Sequence, residues 1–365
     1  MKRYFLLFAM LLMAAILLCS CDGGGVGDLK NPFDDQVQDK YPTYSSGLKF
    51  FSYKNGTCSV SGMGTCEDEI VVVPPTSPDG DRVVQIGYKA FMGERSKNVK
   101  EFILPDGIRV IDDKAFCGVK AKITLGEGIE KIGAYAFSGC TEISEVNLES
   151  VRTIDVYAFE NCTGLVKVTL SSSLSRICKN AFNGCQSLCV VNVAEGDGEL
   201  VIEECAFEGC LNLQIVTIPK RVSEIHKGAF RNCRSLDNVD LYPGLKIIGN
   251  EAFANCSYIK RISIPEGLSE LGGGVFFGCN SLSEVNLPSD LTKIPERMFY
   301  NCSAMKSIDL PSGVEYIGSY AFSNCTKLKS IYFSGSEEEF SLIEIGYGND
   351  VITDAEIVFN YLKEN

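Results

Sequence analysis

The sequence predicts a repeat solenoid: about 11 repeats of ~23 residues, each giving one short parallel β-strand and one short helical or 3-10 turn, between a small N-terminal β cap and a C-terminal cap. Three observations predict it. Phe recurs at Phe91, Phe116, Phe137, Phe159, Phe182, Phe207, Phe230, Phe253, Phe276, Phe299 and Phe322, which is 231 residues in ten intervals, a mean of 23.1. Around each Phe the wording keeps one register, I-G-x-x-A-F-x-[GN]-C-x-x-L-x-x-V-x-L-P, seen in full over residues 271–294. The composition, 45% hydrophobic against 22% charged, is that of a folded chain, and a repeat array accounts for 365 residues without several unrelated domains.

In chain order, residues 1–20 read as a secretory signal peptide. Lys2 and Arg3 precede an uncharged stretch over residues 4–18 that is shorter than the ~20 residues needed to span a bilayer core. Leu18-Cys19-Ser20-Cys21 resembles the bacterial lipoprotein box, which implies that Cys21 becomes a lipid-bearing N-terminus; the alternative is an ordinary cleaved signal with a chance Cys. A thioether on Cys21 would hold diacylglycerol, and a third acyl chain on the freed amine would carry the anchor past the two-signal threshold for stable attachment. Residues 21–46, rich in Gly, Asp, Pro and Gln, follow as a lipidated N-terminus and flexible tether. Residues 47–83 read as the N-terminal β cap, with Asn55-Gly56 as the two-residue turn of a hairpin between Phe50 and Cys58.

Residues 84–333 carry the array. Two positions after each Phe stands Gly or Asn in all eleven copies, the residue types that best tolerate positive φ, so a left-handed cap is expected to end each helical turn. The V-x-L element alternates as a short strand does, with two side chains in the core and one outside. Pro105, Pro219, Pro265, Pro288 and Pro311 end that strand, having no N–H to pair. One repeat cannot bury its own apolar side chains, and stacking at ~4.8 Å per parallel strand gives a solenoid of roughly 50 Å. The A-F-x-[GN]-C-x-x-L-x-x-V-x-L-P wording resembles the BspA-like, bacterial surface-antigen type of leucine-rich repeat. That resemblance implies a leucine-rich-repeat-like fold in a secreted or cell-surface protein that adheres to host or microbial partners, with no enzymatic activity on the repeats. Residues 334–365 lose the period, carry Glu337-Glu338-Glu339, and read as the polar closing cap.

Nine of the 17 Cys fall at one repeat position: Cys140, Cys162, Cys185, Cys210, Cys233, Cys256, Cys279, Cys302 and Cys325. In-register residues on adjacent turns have parallel Cα–Cβ vectors ~5 Å apart, wider than a disulfide accepts, so they are expected as a structural column of buried thiols. No C-x-x-C spacing supports a metal site. Cys58 and Cys66 flank the hairpin and are candidates for a capping disulfide. His226, the single His, reads as an exposed turn residue with no partner nucleophile, so no catalytic residue is assigned. Residues 23–27 form no phosphate loop, lacking a strand before and a helix after. The Asn-Cys-Thr and Asn-Cys-Ser sequons at Asn161, Asn255, Asn301 and Asn324 follow from the repeat wording.

A net charge of -13, or -15 once Lys2 and Arg3 leave with the signal, repels nucleic-acid phosphates and anionic headgroups. The strand row is expected to form the inner, usually concave, wall. Its outward central row runs Ile103, Thr124, Asn147, Thr169, Asn192, Thr217, Asp240, Ser263, Asn286, Asp309 and Tyr332, and its flanking row includes Lys122, Val190, Ile215, Asn238, Arg261 and Glu284. Val190 and Ile215 make the one apolar spot, beside a break in period at residues 194–199. The candidate partner surface is therefore Val190, Asn192, Ile215, Thr217, Asn238, Asp240 and Arg261, with Tyr332 as a further aromatic anchor. The alternative is a polar ladder that keeps the wall soluble. The function expected is a non-enzymatic, membrane-anchored surface lipoprotein, on the bacterial outer membrane or cell surface, that binds a protein or glycan on the extracellular side. It would meet membrane only through its lipid, with no nucleic acid, cofactor or metal, and the oligomeric state stays open. The first rival is an accessory envelope lipoprotein that binds a component of the same cell. The second is a hydrolase using Asp240 and Asp309, which three repeats would hold ~14 Å apart, beyond the ~5 to 9.5 Å of paired carboxylates.

Overall fold

Two rows of parallel strands run along the protein, where the sequence pattern points to one. The computed structural model describes residues 43–93 and 96–361, within a compact unit that begins at Thr43. The segments read as signal peptide, lipidated Cys21 and tether, up to residue 42, lie outside the described residues. The first row is the V-x-L row. Among the described residues it counts twelve strands, from Ile70–Val72 and Glu101–Ile103 to Glu356–Val358, with Asn238 joining as a single bridge residue. The second row takes the Ile that precedes the A-F pair, and its in-register column Ile177, Ile202, Ile225, Ile248 is fully buried. Most of its strands are two residues long, too short for alternation to register. Both rows continue through the segments read as caps, since Thr57–Gly62 and Ile70–Val72 stand before the array and Glu344–Ile345 and Glu356–Val358 after it.

The hairpin at the N-terminal end is Lys49–Ser52 paired antiparallel with Thr57–Gly62. Its connection is four residues, 53–56, not the expected two. Tyr53 N–H donates to the Thr57 carbonyl at 2.9 Å, and Lys54 and Gly56 take positive φ, while Asn55 turns inward to accept from Thr57. No disulfide joins Cys58 and Cys66: both are free and buried, and the Cys58 thiol faces the Asp81 carbonyl at 3.6 Å.

Between the two rows runs an arc carrying the A-F-x-[GN]-C wording, and it is no helix. Ala136, Ser138 and Cys140 donate to carbonyls three residues back, while Tyr135, Phe137 and Gly139 donate to the next turn of the solenoid. Half of the arc's N–H groups thus close local turns and half bind along the axis. Every Phe from Phe91 to Phe299 donates to the carbonyl of the residue just before the next Phe, at 2.8 to 3.0 Å. The left-handed position two after Phe is present in all eleven copies, from Gly93 to Asn324. A second left-handed position lies two before Phe, and nine of its eleven occupants are not glycine, among them Lys114, Tyr135, Glu251 and Arg297. An L side chain there costs roughly 1–2 kcal/mol, which the surrounding bonds and packing must exceed.

The Phe rings are fully buried and stack along the axis with centroids 5.1 to 6.0 Å apart. Removing one such ring to Ala costs about 3–5 kcal/mol in a packed core. Each of the nine column thiols donates to the carbonyl of the preceding turn's Phe, at 3.0 to 3.3 Å from Cys140 to Cys325. That carbonyl also accepts from the backbone N–H three residues on, that of Val119 for Phe116 and of the turn's own Cys from Phe137 to Phe299, so both lone pairs are used without water. Sequence reasoning treats these Cys as small hydrophobes; the thiol hydrogen bond adds a reason for Cys in particular.

At the C-terminal end the short helix Glu337–Ser341 carries a capping box between Ser336 and Glu339. Phe322 has no further repeat to bond. Its N–H donates instead to Asn349 Oδ1 at 2.9 Å, while Asn349 Nδ2 donates to the Gly318 and Gly346 carbonyls. A buried side-chain amide thereby replaces the backbone of the missing turn.

Two outcomes follow. At Gly139, φ is +73° and the nearest atom to an added Cβ is 3.8 Å away, so only backbone strain is tested. Gly139→Ala should cost about 1 kcal/mol in chemical denaturation, and Gly139→Asn less than half of that. Burial pushes the thiols of Cys140, Cys279 and Cys325 up to about 12 and those of Cys162, Cys185, Cys233, Cys256 and Cys302 well above the ordinary value near 9. Each acid is therefore harder to ionise folded than unfolded. Its stabilising effect is complete below pH ~9 and shrinks by up to ~1.4 kcal/mol per pH unit as pH rises toward 12. Urea midpoints should fall steeply above pH ~9, and a flat profile between about pH 8.5 and 10 contradicts the buried column.

Candidate functional site

The outward face of the first strand row collects most of the residues singled out from sequence. Parallel pairing puts Val190 opposite Ile215 and Asn192 opposite Thr217, and Ile215 bridges to Asn238. Asp240 and Arg261 follow on the next turns, both exposed. Val190 and Ile215 are half-buried, and Val191 and Val216 beside them point into the core, as strand alternation requires. Tyr332 is not part of this group. It sits three turns beyond Arg261 and packs against Tyr361 with ring centroids 4.7 Å apart, so its ring is already partnered. Ile103, placed on the outward row by the pattern, is instead buried at 2% exposure.

The loop at residues 194–198 follows directly from the strand Val190–Val193 and is held from several turns. Arg221 reaches back to it: Nε donates to the Ala194 carbonyl, Nη1 to Leu174 at 2.6 Å and Nη2 to Ser171. Lys246 Nζ pairs with Glu199 at 2.6 Å. Gly196 lies so close to the preceding turn that a Cβ would come within 2.4 Å of the Ser172 carbonyl. Sequence reading marks the break in period here but not its anchor, because Arg221 acts 47 residues from Leu174 and nothing local announces that reach. The guanidinium is partly desolvated without a carboxylate in direct contact, which lowers its pKa from the ordinary value.

Elsewhere the row bonds to itself. Asn286 Nδ2 donates to Ser263 Oγ at 2.8 Å, and Lys122 and Thr124 both reach Glu101. An open depression of about 650 Å³ lies near the N-terminal end, lined by residues of both signs including Glu67, Glu69, Lys97 and Lys120. Lys100–Glu69 and Lys122–Glu101 are ion-paired there, which leaves little net field for a charged ligand. His226 is half-buried rather than an exposed turn residue, and Nε2 lies 2.6 Å from Glu224 Oε2. Among the described residues, no group of three or more His, Cys, Asp or Glu is placed to hold a metal ion, and no helix is long and apolar enough to cross a membrane.

Comparison with known proteins agrees with this architecture. No curated protein matches the chain. A leucine-rich repeat protein from Bacteroides ovatus is similar in structure with TM-score 0.53 and 24% identity, over 88% of this chain and all of that one. A leucine rich cell surface protein from Faecalibacterium prausnitzii gives TM-score 0.48 at 22% identity, over 83% of this chain and 97% of the other. The profile of the BspA type Leucine rich repeat region, in 6 copies, matches residues 84–201, 197–304 and 247–343. With most of its length matched and the two-row solenoid on view, the chain belongs to the BspA type leucine-rich repeat family.

Proposed function

We propose that this protein is a non-enzymatic, lipid-anchored surface protein whose repeat array binds a protein or glycan through the face around Val190 and Ile215. The observation that carries the reading is the in-register apolar pair Val190 and Ile215 on an otherwise polar row, beside a loop immobilised by Arg221. A rigid apolar centre rimmed by Asn192, Thr217, Asn238, Asp240 and Arg261 is the arrangement in which a few residues carry most of the binding energy. Because the backbone on both sides is fixed by the strand ladder, little ordering entropy opposes association. The surface location rests on the signal-peptide and Cys21 readings, and the absence of a catalytic role on the scatter of charged residues along the row.

The test is binding of residues 22–365 to immobilised extracellular-matrix proteins and glycans at several salt concentrations, alongside Val190→Asp/Ile215→Asp. Saturable binding weakened at least ~10-fold in the double variant, with unchanged circular dichroism, is the expected result. A folded protein that binds none of the panel would favour a partner within the cell's own envelope, and binding untouched by the double variant would move the site off this face.

A further inference from the structure

The segments that carry the first and the last strand of the second row differ in charge, and each strand has an open edge among the described residues. At the C-terminal end, Glu344–Ile345 is the last strand of the second row, paired on one side only with Tyr316–Ile317. Both of its residues are exposed. Around it stand the two most exposed large apolar side chains among the described residues, Leu342 at 82% and Tyr347 at 74%, with the exposed Ile345 beside them. Residues 334–361 hold seven acidic side chains and no basic one. At the N-terminal end, Lys49–Ser52 is the first strand of the same row, paired on one side only with Thr57–Gly62. Phe51 and Tyr53 are exposed there and pack edge to face at 5.6 Å. Residues 43–57 hold two basic side chains, Lys49 and Lys54, and no acidic one.

The first row is treated differently at its head. Ser45 covers Ile70–Val72, its N–H donating to the Val72 carbonyl while its Oγ accepts from the Val72 N–H. The second row has no such cover at either end among the described residues. An uncovered strand edge with apolar side chains beside it is a template for pairing with another chain. Two acidic tails facing each other would repel, and so would two lysine-bearing heads, so symmetric end-to-end pairing is disfavoured on charge.

We propose that the solenoid associates head to tail with a second copy of itself, the strand Glu344–Ile345 of one chain adding antiparallel to Lys49–Ser52 of the next. The direction follows from topology: Glu344–Ile345 runs parallel to its row, whereas Lys49–Ser52 runs against it. Leu342, Ile345 and Tyr347 then meet Phe51 and Tyr53, and Lys49 and Lys54 meet the acidic cap. Such a contact is heterologous and does not close on itself by two-fold symmetry, so it propagates.

Sedimentation velocity of residues 22–365, which contain the whole compact unit, tests this with two blocked variants. Phe51→Glu blocks the head and Leu342→Ser/Ile345→Ser blocks the tail without creating a charge that would attract the blocked head, and all three sites are exposed enough to leave folding intact, which circular dichroism checks. The parent should grow in mass past dimer as concentration rises toward about 1 mM, and less so when salt is raised from ~50 to ~500 mM. Each variant alone should stay monomeric, and an equimolar mixture should form dimers and nothing larger. A parent that stays monomeric throughout, or a blocked variant that self-associates alone, overturns the proposal. Failure here leaves the partner-binding face untouched, since none of these residues lies on it.

Discussion

The fold rests on the Phe main chain more than on the Phe ring. From Phe91 to Phe299 each Phe N–H binds the turn ahead, and from Phe137 to Phe299 each Phe carbonyl takes its own turn's Cys N–H and the thiol of the turn ahead. These groups are deep in the arc, where an unpaired backbone polar group costs about 1–3 kcal/mol. The ring stack supplies the hydrophobic driving force, but the bonds fix the spacing at which rings, thiols and both strand rows fall into register. A solenoid of this kind is stabilised turn by turn, each repeat contacting its neighbours, so the ends are where the arrangement has to be terminated.

Termination explains features that look unrelated along the chain. Asn349 offers a carbonyl oxygen and an amide where the next turn's backbone would be, and Ser45 does the same for the first strand row. Among the described residues the second row is left with a bare edge at both ends, and the first row with one at its last strand, Glu356–Val358. The same bonding also shapes the candidate binding face: an insertion at residues 194–198 can depart from the period because Arg221 satisfies the carbonyls that the departure leaves behind.

Much of this is legible in the sequence and some is not, for definite physical reasons. The Phe period, the buried Cys positions, the outward Val190–Ile215 spot and the left-handed position after Phe all announce themselves, because burial and positive φ restrict residue type. The left-handed position before Phe does not, since Lys114, Tyr135, Glu251 and Arg297 are held there by neighbouring turns against their own preference. The second strand row is silent because two-residue strands have no alternation to detect. Tyr332 looks like an anchor by type, yet Tyr361, outside any repeat, already partners its ring. Contacts such as Arg221 to Leu174 depend on where distant turns land, which no local pattern encodes.

The most direct test of the account is amide hydrogen exchange at the Phe positions. If the arc bonds carry the fold, the amides of Phe137, Phe159, Phe182, Phe207 and Phe230 should be among the slowest to exchange, with protection declining toward Phe91 and Phe322. Exchange at those amides as fast as in the loop at residues 194–198 would contradict it.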